Sequence, residues 1–446
     1  MDLAGVRIDA RTELRKNSTF LETSTPRSMS FTKEDLLRII DDPQLLERAY
    51  RGDKAAFHKA FQEAYPEIAA RPIAQVWNAR LSHTSEPGIN WGTGKDGLLV
   101  LLFCLLAGTL AKLPEIFSIP ENFFYPRNIT FVVFPLLSLY FVRSHGMRSV
   151  RTLILFGVFL AAAVHINLLP DRPASDTLIL ACIHLAVLSW SLLGIAFAGT
   201  REYDHASRLD FLKYSGDLVV MTALLALAFG LFSALTVGLF GVIGIRIEEF
   251  YFRYVAVYAM AAAPFVSTHL VRTNPQLVNK VSPVIARVFT PLLLVTLTVY
   301  LFAWTGSGKD PYNDRDFLFV FNMLLLGVMA VIFFSVTEMS RSSGNRFGGF
   351  VLLALSLVTV AVNGVALSAI VYRITSWGVT PNRLAVVVSN LLILGSLLTL
   401  SYRLFRSWRD RSPLSEAAQG ITLFLPLYGI WAFIVMFFFP VMFGFN

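Results

Sequence analysis

FGGFVLLALSLVTVAVNGVALSAIVY, residues 347–372, contains no charged side chain. A helix that crosses a membrane needs about 20 consecutive apolar residues, so this stretch is long enough to span. The chain contains eleven such runs, near residues 97–116, 128–142, 149–169, 176–198, 217–243, 250–271, 283–304, 316–336, 347–372, 381–404 and 421–443. The second run is the shortest, and an alternative is that it begins earlier, within ENFFYP at residues 121–126.

The composition agrees with a membrane protein. Of the 446 residues, 55% are hydrophobic and 15% are charged, whereas soluble domains are about 45–50% apolar and about 25% charged. The two cysteines, Cys104 and Cys182, lie inside apolar runs without a neighbouring Cys or His, which argues against a metal site. We therefore predict an all-α, polytopic membrane protein with about eleven transmembrane helices and without a metal or cofactor.

Residues 31–96 differ from the rest because they form short amphipathic segments. Thr32 followed by Asp35 and Asp42 followed by Pro43 are typical helix starts. A third segment begins at Asp53, and Tyr65-Pro66 is expected to end it before a fourth segment at residues 72–81. The pattern predicts a small helical domain at residues 31–96, which follows a Ser- and Thr-rich tail, residues 1–30, that we expect to be disordered.

Residues 1–96 contain 14 basic and 14 acidic side chains, so this part offers no basic patch for nucleic acid. A domain of this size buries little surface by itself. We expect residues 31–96 to pack against the membrane domain, residues 97–446, or to bind a cytosolic protein partner.

The basic residues predict the orientation of the chain, because cytoplasmic loops are enriched in Lys and Arg. If the N-terminal domain is cytosolic, the cytoplasmic loops are residues 143–148, 199–216, 272–282, 337–346 and 405–420, and all of them are basic. The opposite loops contain acids such as Glu115 and Glu121. We therefore predict a cytosolic N-terminus and an external C-terminus. The net charge of +8 arises wholly from residues 97–446, where anionic membrane lipids are sufficient partners.

Polar side chains inside a span are the first candidates for a substrate or ion path. His184 and His165 lie within spans, and a carrier driven by protons could use them. The alternative, which we favour from the sequence, is a neutral histidine that is hydrogen-bonded between helices. Asn322, Asn363 and Asn390 also lie within spans, where amides more often join neighbouring helices than line a path.

The fifth run ends in GLFGVIGIRIEEFYFRY, which contains Gly238, Gly241 and Gly244. These glycines could interrupt a helix at a binding site, and Gly230, Ala234 and Gly238 form a small-residue face suited to close helix contact. Three charged side chains that follow, Arg246, Glu248 and Glu249, are candidate site residues at the outer surface, and Glu249 can pair with Arg253 four residues later. Asp217 is interpreted as an acid at the start of this span.

RITSWGVTPNRL, residues 373–384, separates the ninth and tenth spans. Gly378 permits a turn with positive φ, and Thr380 and Pro381 begin a helix. Arg373 and Arg383 lie on the predicted outer face, where basic residues are disfavoured, so both need an acid, a phosphate or a bound anion.

The pattern Gly378, Thr380, Arg383 after a membrane helix resembles a family of bacterial polytopic inner-membrane proteins of unknown function. The stretches DPQLLERAYRGDKAAFHKAFQEAYPEIAARPIAQVWNARL (residues 42–81) and VSPVIARVFTPLLLVTLTVYL (residues 281–301) are similar to its soluble leader and to one of its spans. The resemblance covers most of residues 31–404. It implies a multi-pass protein of a bacterial inner membrane and brings no reaction or substrate.

Two hypotheses about function follow from these features. The first is a permease-like carrier of a small or lipid-like solute, and the second is a scaffold or sensor that recruits a cytosolic partner through residues 31–96. The sequence contains no P-loop, HExxH or GxSxG motif. An enzyme acting on lipid-linked substrates is therefore the weakest hypothesis.

Overall fold

The structure is a computed structural model, and it describes residues 31–82, 94–147, 149–172, 175–201, 203–242, 245–306, 312, 315–339, 346–410 and 414–445. The predicted disordered tail, residues 1–30, lies outside these residues. Within the described ranges the regular structure is helical throughout and contains no strand, so the fold is all-α. The chain divides into two compact units, Met1–Ile89 and Asn90–Asn446.

The first unit contains four helices, α1 (Lys33–Ile39), α2 (Pro43–Gly52), α3 (Lys54–Ile68) and α4 (Pro72–Ser82). The predicted helix starts are confirmed: Thr32 and Asp35 form a capping box, and Asp42 accepts from the backbone N–H of Gln44 at 2.9 Å. The predicted stop at Tyr65-Pro66 is wrong, because α3 passes through Pro66 and ends at Ile68. Proline near the last turn removes one backbone donor, and burial of Ile68 in the core stabilises that turn.

The core of this unit is aromatic. Phe57 is fully buried and contacts the rings of Tyr50 and Trp77. Arg80 stacks over Trp77 at 4.5 Å and donates to Glu47 at 2.7 Å. Hydrogen bonds from Arg80 and Arg51 hold the pKa of Glu47 below its usual value. The unit therefore has its own hydrophobic core and an ion-pair network on its surface.

The second unit is built from long helices. In chain order they are α5 (Gly94–Ala111), α6 (Leu113–Ile116), α7 (Glu121–His145), α8 (Ser149–Leu168), α9 (Asp176–Ala198), α10 (His205–Val242), α11 (Glu248–Phe250), α12 (Val257–Thr273), α13 (Pro275–Gly306), α14 (Arg315–Met339), α15 (Arg346–Trp377), α16 (Pro381–Asp410), α17 (Leu414–Thr422) and α18 (Leu425–Met442). A π-helical turn, Tyr251–Ala256, joins α11 to α12.

Within the described ranges, eleven helical segments are long and apolar enough to cross a membrane, and each overlaps one of the eleven predicted runs. The second segment begins at Glu121, which confirms the earlier start considered for that run. The chain is therefore a multi-pass membrane protein.

Helix α10 differs from its prediction in two ways. It begins at His205, so Asp217 lies well inside the helix, and the interpretation of Asp217 as a helix start is wrong. It also continues without a break to Val242, past the glycines at 230, 238 and 241. The predicted close contact at Gly230 and Gly238 is not made within the described part of the chain, where no heavy atom outside the helix's own backbone lies within 4 Å of a Cβ placed on either residue. Gly244 lies outside the described residues.

The membrane helices form two bundles with separate hydrophobic cores. The first bundle consists of α5, α7, α8, α9 and α12, the second consists of α13, α14, α15, α16 and α17, and α18 contributes side chains to both cores. Helix α10 lies between them: Phe211 and Tyr214 belong to the core of the first bundle, and Leu212 belongs to the core of the second. The bundles also touch in a small cluster where α9, α16 and α18 meet.

Candidate functional site

A cavity of about 490 Å³ lies where the ends of α7, α9 and α12 meet the first half of α10. We call it the Asp217 cavity. Its titratable lining residues are His145, Arg201, Asp210, Lys213, Tyr214, Asp217 and Arg272. They come from, or lie next to, three of the loops predicted to be cytoplasmic, at residues 143–148, 199–216 and 272–282. The structure therefore brings these three basic loops to the same end of the membrane unit.

Asp217 is the deeply buried acid of this cavity, with 5% of its surface exposed. The Ser282 hydroxyl, on α13, is fully buried and donates to Asp217 Oδ1 at 2.7 Å. The cavity walls on α7, α9 and α12 belong to the first bundle, whereas Ser282 belongs to the second. Asp217 therefore lies on the boundary between the bundles, and it contacts both the cavity and the second bundle.

Two further contacts fix helix α10 near Asp217, one with α12 and one with α14. The hydroxyl groups of Tyr214 and Thr268 are 2.8 Å apart, which ties α10 to α12. Gly216 packs against Phe334 on α14 so closely that a Cβ would lie 2.3 Å from the ring. Farther along α10 the packing is sparse, and Leu227 and Leu231 are 72% and 76% exposed. Helix α10 is thus packed firmly near Asp217 and loosely toward its other end.

The start of α10 is fixed by a cap. Asp204 Oδ1 accepts from the Ser207 backbone N–H at 2.9 Å, as expected for an acid that satisfies a free donor at a helix start. Hydrogen bonds from the backbone and side chain of Ser207 hold the pKa of Asp204 below its usual value. The cap fixes where α10 begins, and so places Asp217 three helical turns inside the helix.

The two candidate histidines contact backbone carbonyls. The His184 Nδ1 atom lies 2.8 Å from the Leu180 carbonyl oxygen in the same helix. His165 Nε2 lies 3.2 Å from the Met436 carbonyl oxygen, and its ring packs on Phe437. The His165 contact joins α8 to α18, whereas the His184 contact stays within α9, and neither histidine lines the Asp217 cavity.

The three candidate asparagines lie in the second bundle. Asn390 Nδ2 donates to Asn322 Oδ1 at 2.9 Å, which joins α16 to α14. Asn363 on α15 is fully buried, and neither its amide nitrogen nor its oxygen has a hydrogen-bond partner among the described residues. Ser401 donates to Ser356 at 2.9 Å and so fixes the register between α15 and α16.

The Ser356–Ser401 contact gives a reference for the position of Asn363 along the second bundle. At about 1.5 Å per residue, Asn363 and Ser396 stand about 10 Å and about 8 Å from this contact, at nearly the same level. The Ser396 hydroxyl is 2.9 Å from the Tyr428 hydroxyl. The second bundle thus contains a level of polar side chains away from the Asp217 cavity, with Asn363 as its unpaired member in the described part of the chain.

At the opposite end of the first bundle, Glu115 gathers two cations. Its Oε2 accepts from Lys112 Nζ at 2.5 Å, and its Oε1 accepts from Arg253 Nε at 2.9 Å and from the Tyr254 hydroxyl at 3.0 Å. The hydrogen bonds from Lys112, Tyr254 and Arg253 lower the pKa of Glu115 to about 2. Lys112, Glu115 and Arg253 border an open cavity of about 690 Å³, which Glu121 also lines.

The candidate residues Arg246, Glu248 and Glu249 are exposed near this cluster. Glu249 lies 3.9 Å from Arg253, at the limit of an ion pair, and its side chain is 91% exposed. Arg253 instead makes its short contact with Glu115, a residue 138 positions earlier in the chain. The short contact of Arg253 therefore depends on the packing of α12 against α5 and α6, which local spacing does not reveal.

The connection between α15 and α16 has the predicted local structure. Gly378 has φ +79°, and the Thr380 hydroxyl accepts from the Arg383 backbone N–H at 3.3 Å. Arg383 donates to the carbonyl oxygens of Trp377 and Gly378, at 2.9 and 2.7 Å. Arg373 donates to the Tyr312 carbonyl at 2.9 Å, and both guanidinium groups lie 5.7 Å from the Trp377 ring. Backbone carbonyls and one indole ring therefore engage both arginines.

Sequence reasoning missed Arg127 on α7, which is 2% exposed. Its Nη1 donates to the carbonyl oxygens of Ile166 and Leu169 at 2.8 and 2.9 Å, and its Nη2 contacts Asp171 at 3.2 Å. Arg127 thereby satisfies carbonyls that the C-terminus of α8 leaves without partners. The predicted run at residues 128–142 begins one residue after Arg127. The alternative start within ENFFYP, residues 121–126, would place this arginine inside the span.

The eleven spans define the class, a multi-pass integral membrane protein. No family model matches the chain, and no curated protein or solved structure matches it. The resemblance to a bacterial inner-membrane family stays a prediction. Among the described residues, no group of three or more His, Cys, Asp or Glu side chains could hold a metal ion.

Proposed function

We propose that this protein is a permease-like carrier of a small or lipid-like solute. The observation that carries the proposal is the boundary at α10, where two bundles with distinct hydrophobic cores meet beside the Asp217 cavity. Carriers commonly move one bundle against another around a site at their interface. Ser282 and Asp217 join the bundles on one side of that boundary, and the sparse packing of the far half of α10 leaves room for such a movement.

The proposed setting is the inner membrane of a bacterium, with the Asp217 cavity facing the cytosol. Support comes from the basic residues around the cavity, since Lys and Arg accumulate on the cytoplasmic side. The resemblance noted for Gly378, Thr380 and Arg383 points to the same membrane. Under this proposal the candidate path residues His165 and Asn322 serve as contacts between helices, His184 bonds within its own helix, and Asn363 belongs to the polar level of the second bundle.

Counterflow in liposomes tests the carrier proposal without an imposed driving force. Purified protein is reconstituted into vesicles loaded with pools of amino acids, sugars, nucleosides or amphiphiles, and uptake of the labelled pool is measured. We expect uptake of at least one pool, and its loss in Asp217→Asn. The matched control is Asp410→Asn, which removes an exposed carboxylate that pairs with Arg406 and Arg409 away from the cavity. Absence of uptake for every pool contradicts the proposal.

A second candidate function is a scaffold or sensor that recruits a cytosolic protein through residues 31–96. It is favoured by one observation, the compact first unit with its own buried core. Deleting residues 1–90 distinguishes the two functions. A carrier should retain part of its counterflow, whereas a scaffold should lose its cellular phenotype fully while the membrane unit remains folded.

A further inference from the structure

Asp217 has a position that the carrier proposal does not by itself explain. It is a carboxylic acid buried inside helix α10, near the end of the membrane unit where three basic loops meet, and a buried acid needs polar partners to offset its desolvation. It borders the cavity on one side and accepts a hydrogen bond from Ser282 of the second bundle on the other. A change in the charge of this side chain would thus alter its interactions with the cavity and with the second bundle together.

Charged groups on several elements line the same cavity as Asp217. His145 comes from α7, Arg201 follows α9, and Arg272 comes from α12. Asp210 and Lys213 precede Asp217 on α10 itself. On α14, Glu338 is buried one turn beyond Phe334, the residue that packs on Gly216, and α13 presents the Ser282 hydroxyl.

These surroundings act in opposite directions on the proton. Neighbouring cations favour the carboxylate, whereas burial and neighbouring acids favour the neutral acid. A movement of the bundles changes the distances between Asp217 and its neighbours on α12, α13 and α14. If those distances change, the preferred protonation state changes with them, which is the requirement for coupling proton binding to movement.

We propose that Asp217 is the proton-binding site of this protein, so that the coupling ion of the proposed carrier is a proton. A proton from the solvent of the cavity binds a carboxylate oxygen of Asp217 and is released from the same oxygen after the bundles have moved. Ionised Asp217 holds the arrangement described here through Ser282 and the cavity cations. The neutral acid loses its attraction to those cations, and the contact between α10 and α13 loosens. The inference rests on the proposed function, but its first test does not.

The first test measures the distance between α10 and α13, the two helices joined by Asp217 and Ser282, and needs no solute. In a background with Cys104→Ser and Cys182→Ser, spin labels are attached at Leu227→Cys on α10 and Val295→Cys on α13. Both sites are exposed, at 72% and 61%, so the labels disturb little packing. We expect the distance distribution, measured by pulsed electron resonance in lipid nanodiscs, to shift when the pH changes from alkaline to acidic.

Variants assign that shift to Asp217. Asp217→Asn imitates the neutral acid and should show the acidic distribution at every pH, with complete loss of the shift. Asp217→Glu keeps a carboxyl group and should keep a shift with a displaced midpoint, which guards against a variant that merely misfolds. Asp410→Asn should behave as the background. A distribution that does not change with pH in the background, or a shift that survives in Asp217→Asn, overturns the inference.

A flux measurement separates this inference from the carrier proposal. Once a transported pool is known, Asp217→Glu should still accumulate it under a pH gradient, with a displaced pH optimum. If the background transports that pool but a pH gradient does not drive its accumulation, the carrier proposal stands and the proton site is wrong. If no pool is transported while the distance shift depends on Asp217, the proton site stands and the carrier proposal is wrong.

Discussion

Replacing Arg127 by methionine tests whether a buried arginine holds α7 to the end of α8. The substitution leaves the carbonyl oxygens of Ile166 and Leu169 buried without their donor. An unsatisfied buried polar group costs about 1–3 kcal/mol, which gives about 2–6 kcal/mol for the two. Removing a buried charge recovers part of this loss. We therefore expect Arg127→Met to lower the free energy of unfolding by about 2–4 kcal/mol.

Equilibrium unfolding in sodium dodecyl sulfate, followed by tryptophan fluorescence, measures this difference. Arg172→Met is the matched control, because Arg172 is exposed in the loop after α8 and should change stability by less than about 0.5 kcal/mol. Arg127→Lys keeps the charge but not the planar fork of donors and should fall between the two. The reasoning is refuted if Arg127→Met is as stable as Arg172→Met.

Three further predictions use the same unfolding measurement. A Cβ on Gly108 would lie 2.1 Å from the Tyr258 ring, so Gly108→Ala should lower the free energy of unfolding by about 1–3 kcal/mol. Gly230→Ala, where the added Cβ meets open space, should leave the free energy of unfolding unchanged or raise it by up to about 1 kcal/mol. Equal effects of the two substitutions would contradict this packing. The pKa of Glu115 is lowered from 4.5 to about 2, so its ion pairs contribute above its usual pKa and are lost only as the pH falls through about 2. Wild type and Glu115→Gln should therefore differ at neutral pH and in mild acid, and convergence already near pH 4.5 argues against the ion pairs. Gly378→Ala places a side chain at φ +79° and should cost about 1–2 kcal/mol, which an unchanged stability would disprove.

Local chemistry explains what the sequence predicted well. The caps at Thr32 and Asp42 and the restart at Thr380 each involve residues within three positions of one another. The expected stop at Pro66 failed because burial of Ile68, a tertiary effect, outweighed the local cost of proline in the last turn. Local rules thus hold where no distant contact competes with them.

The candidate site was harder to predict from sequence. The apolar run begins at Asp217, which predicts a helix start there. Helix α10 instead begins at His205, twelve residues earlier. The true start is set by Asp204 and Ser207 within a charged segment, where hydropathy carries no signal. The charges of Arg246, Glu248 and Glu249 are dense in sequence but exposed, whereas Glu115 on α6 supplies the short contact of their neighbour Arg253.

The sequence by itself determined the class of this protein, its eleven spans and its helix caps. Lipid dissolves only segments whose backbone is fully bonded and whose side chains are apolar, and both properties are local. The tertiary structure decided which helices face one another, and with them the pairs Asp217–Ser282, Arg127–Ile166 and Glu115–Arg253, which lie 65, 39 and 138 residues apart. The physical reason is that the lipid-facing and helix-facing sides of these spans are almost equally apolar, so hydropathy cannot select partners and shape and buried polar contacts do.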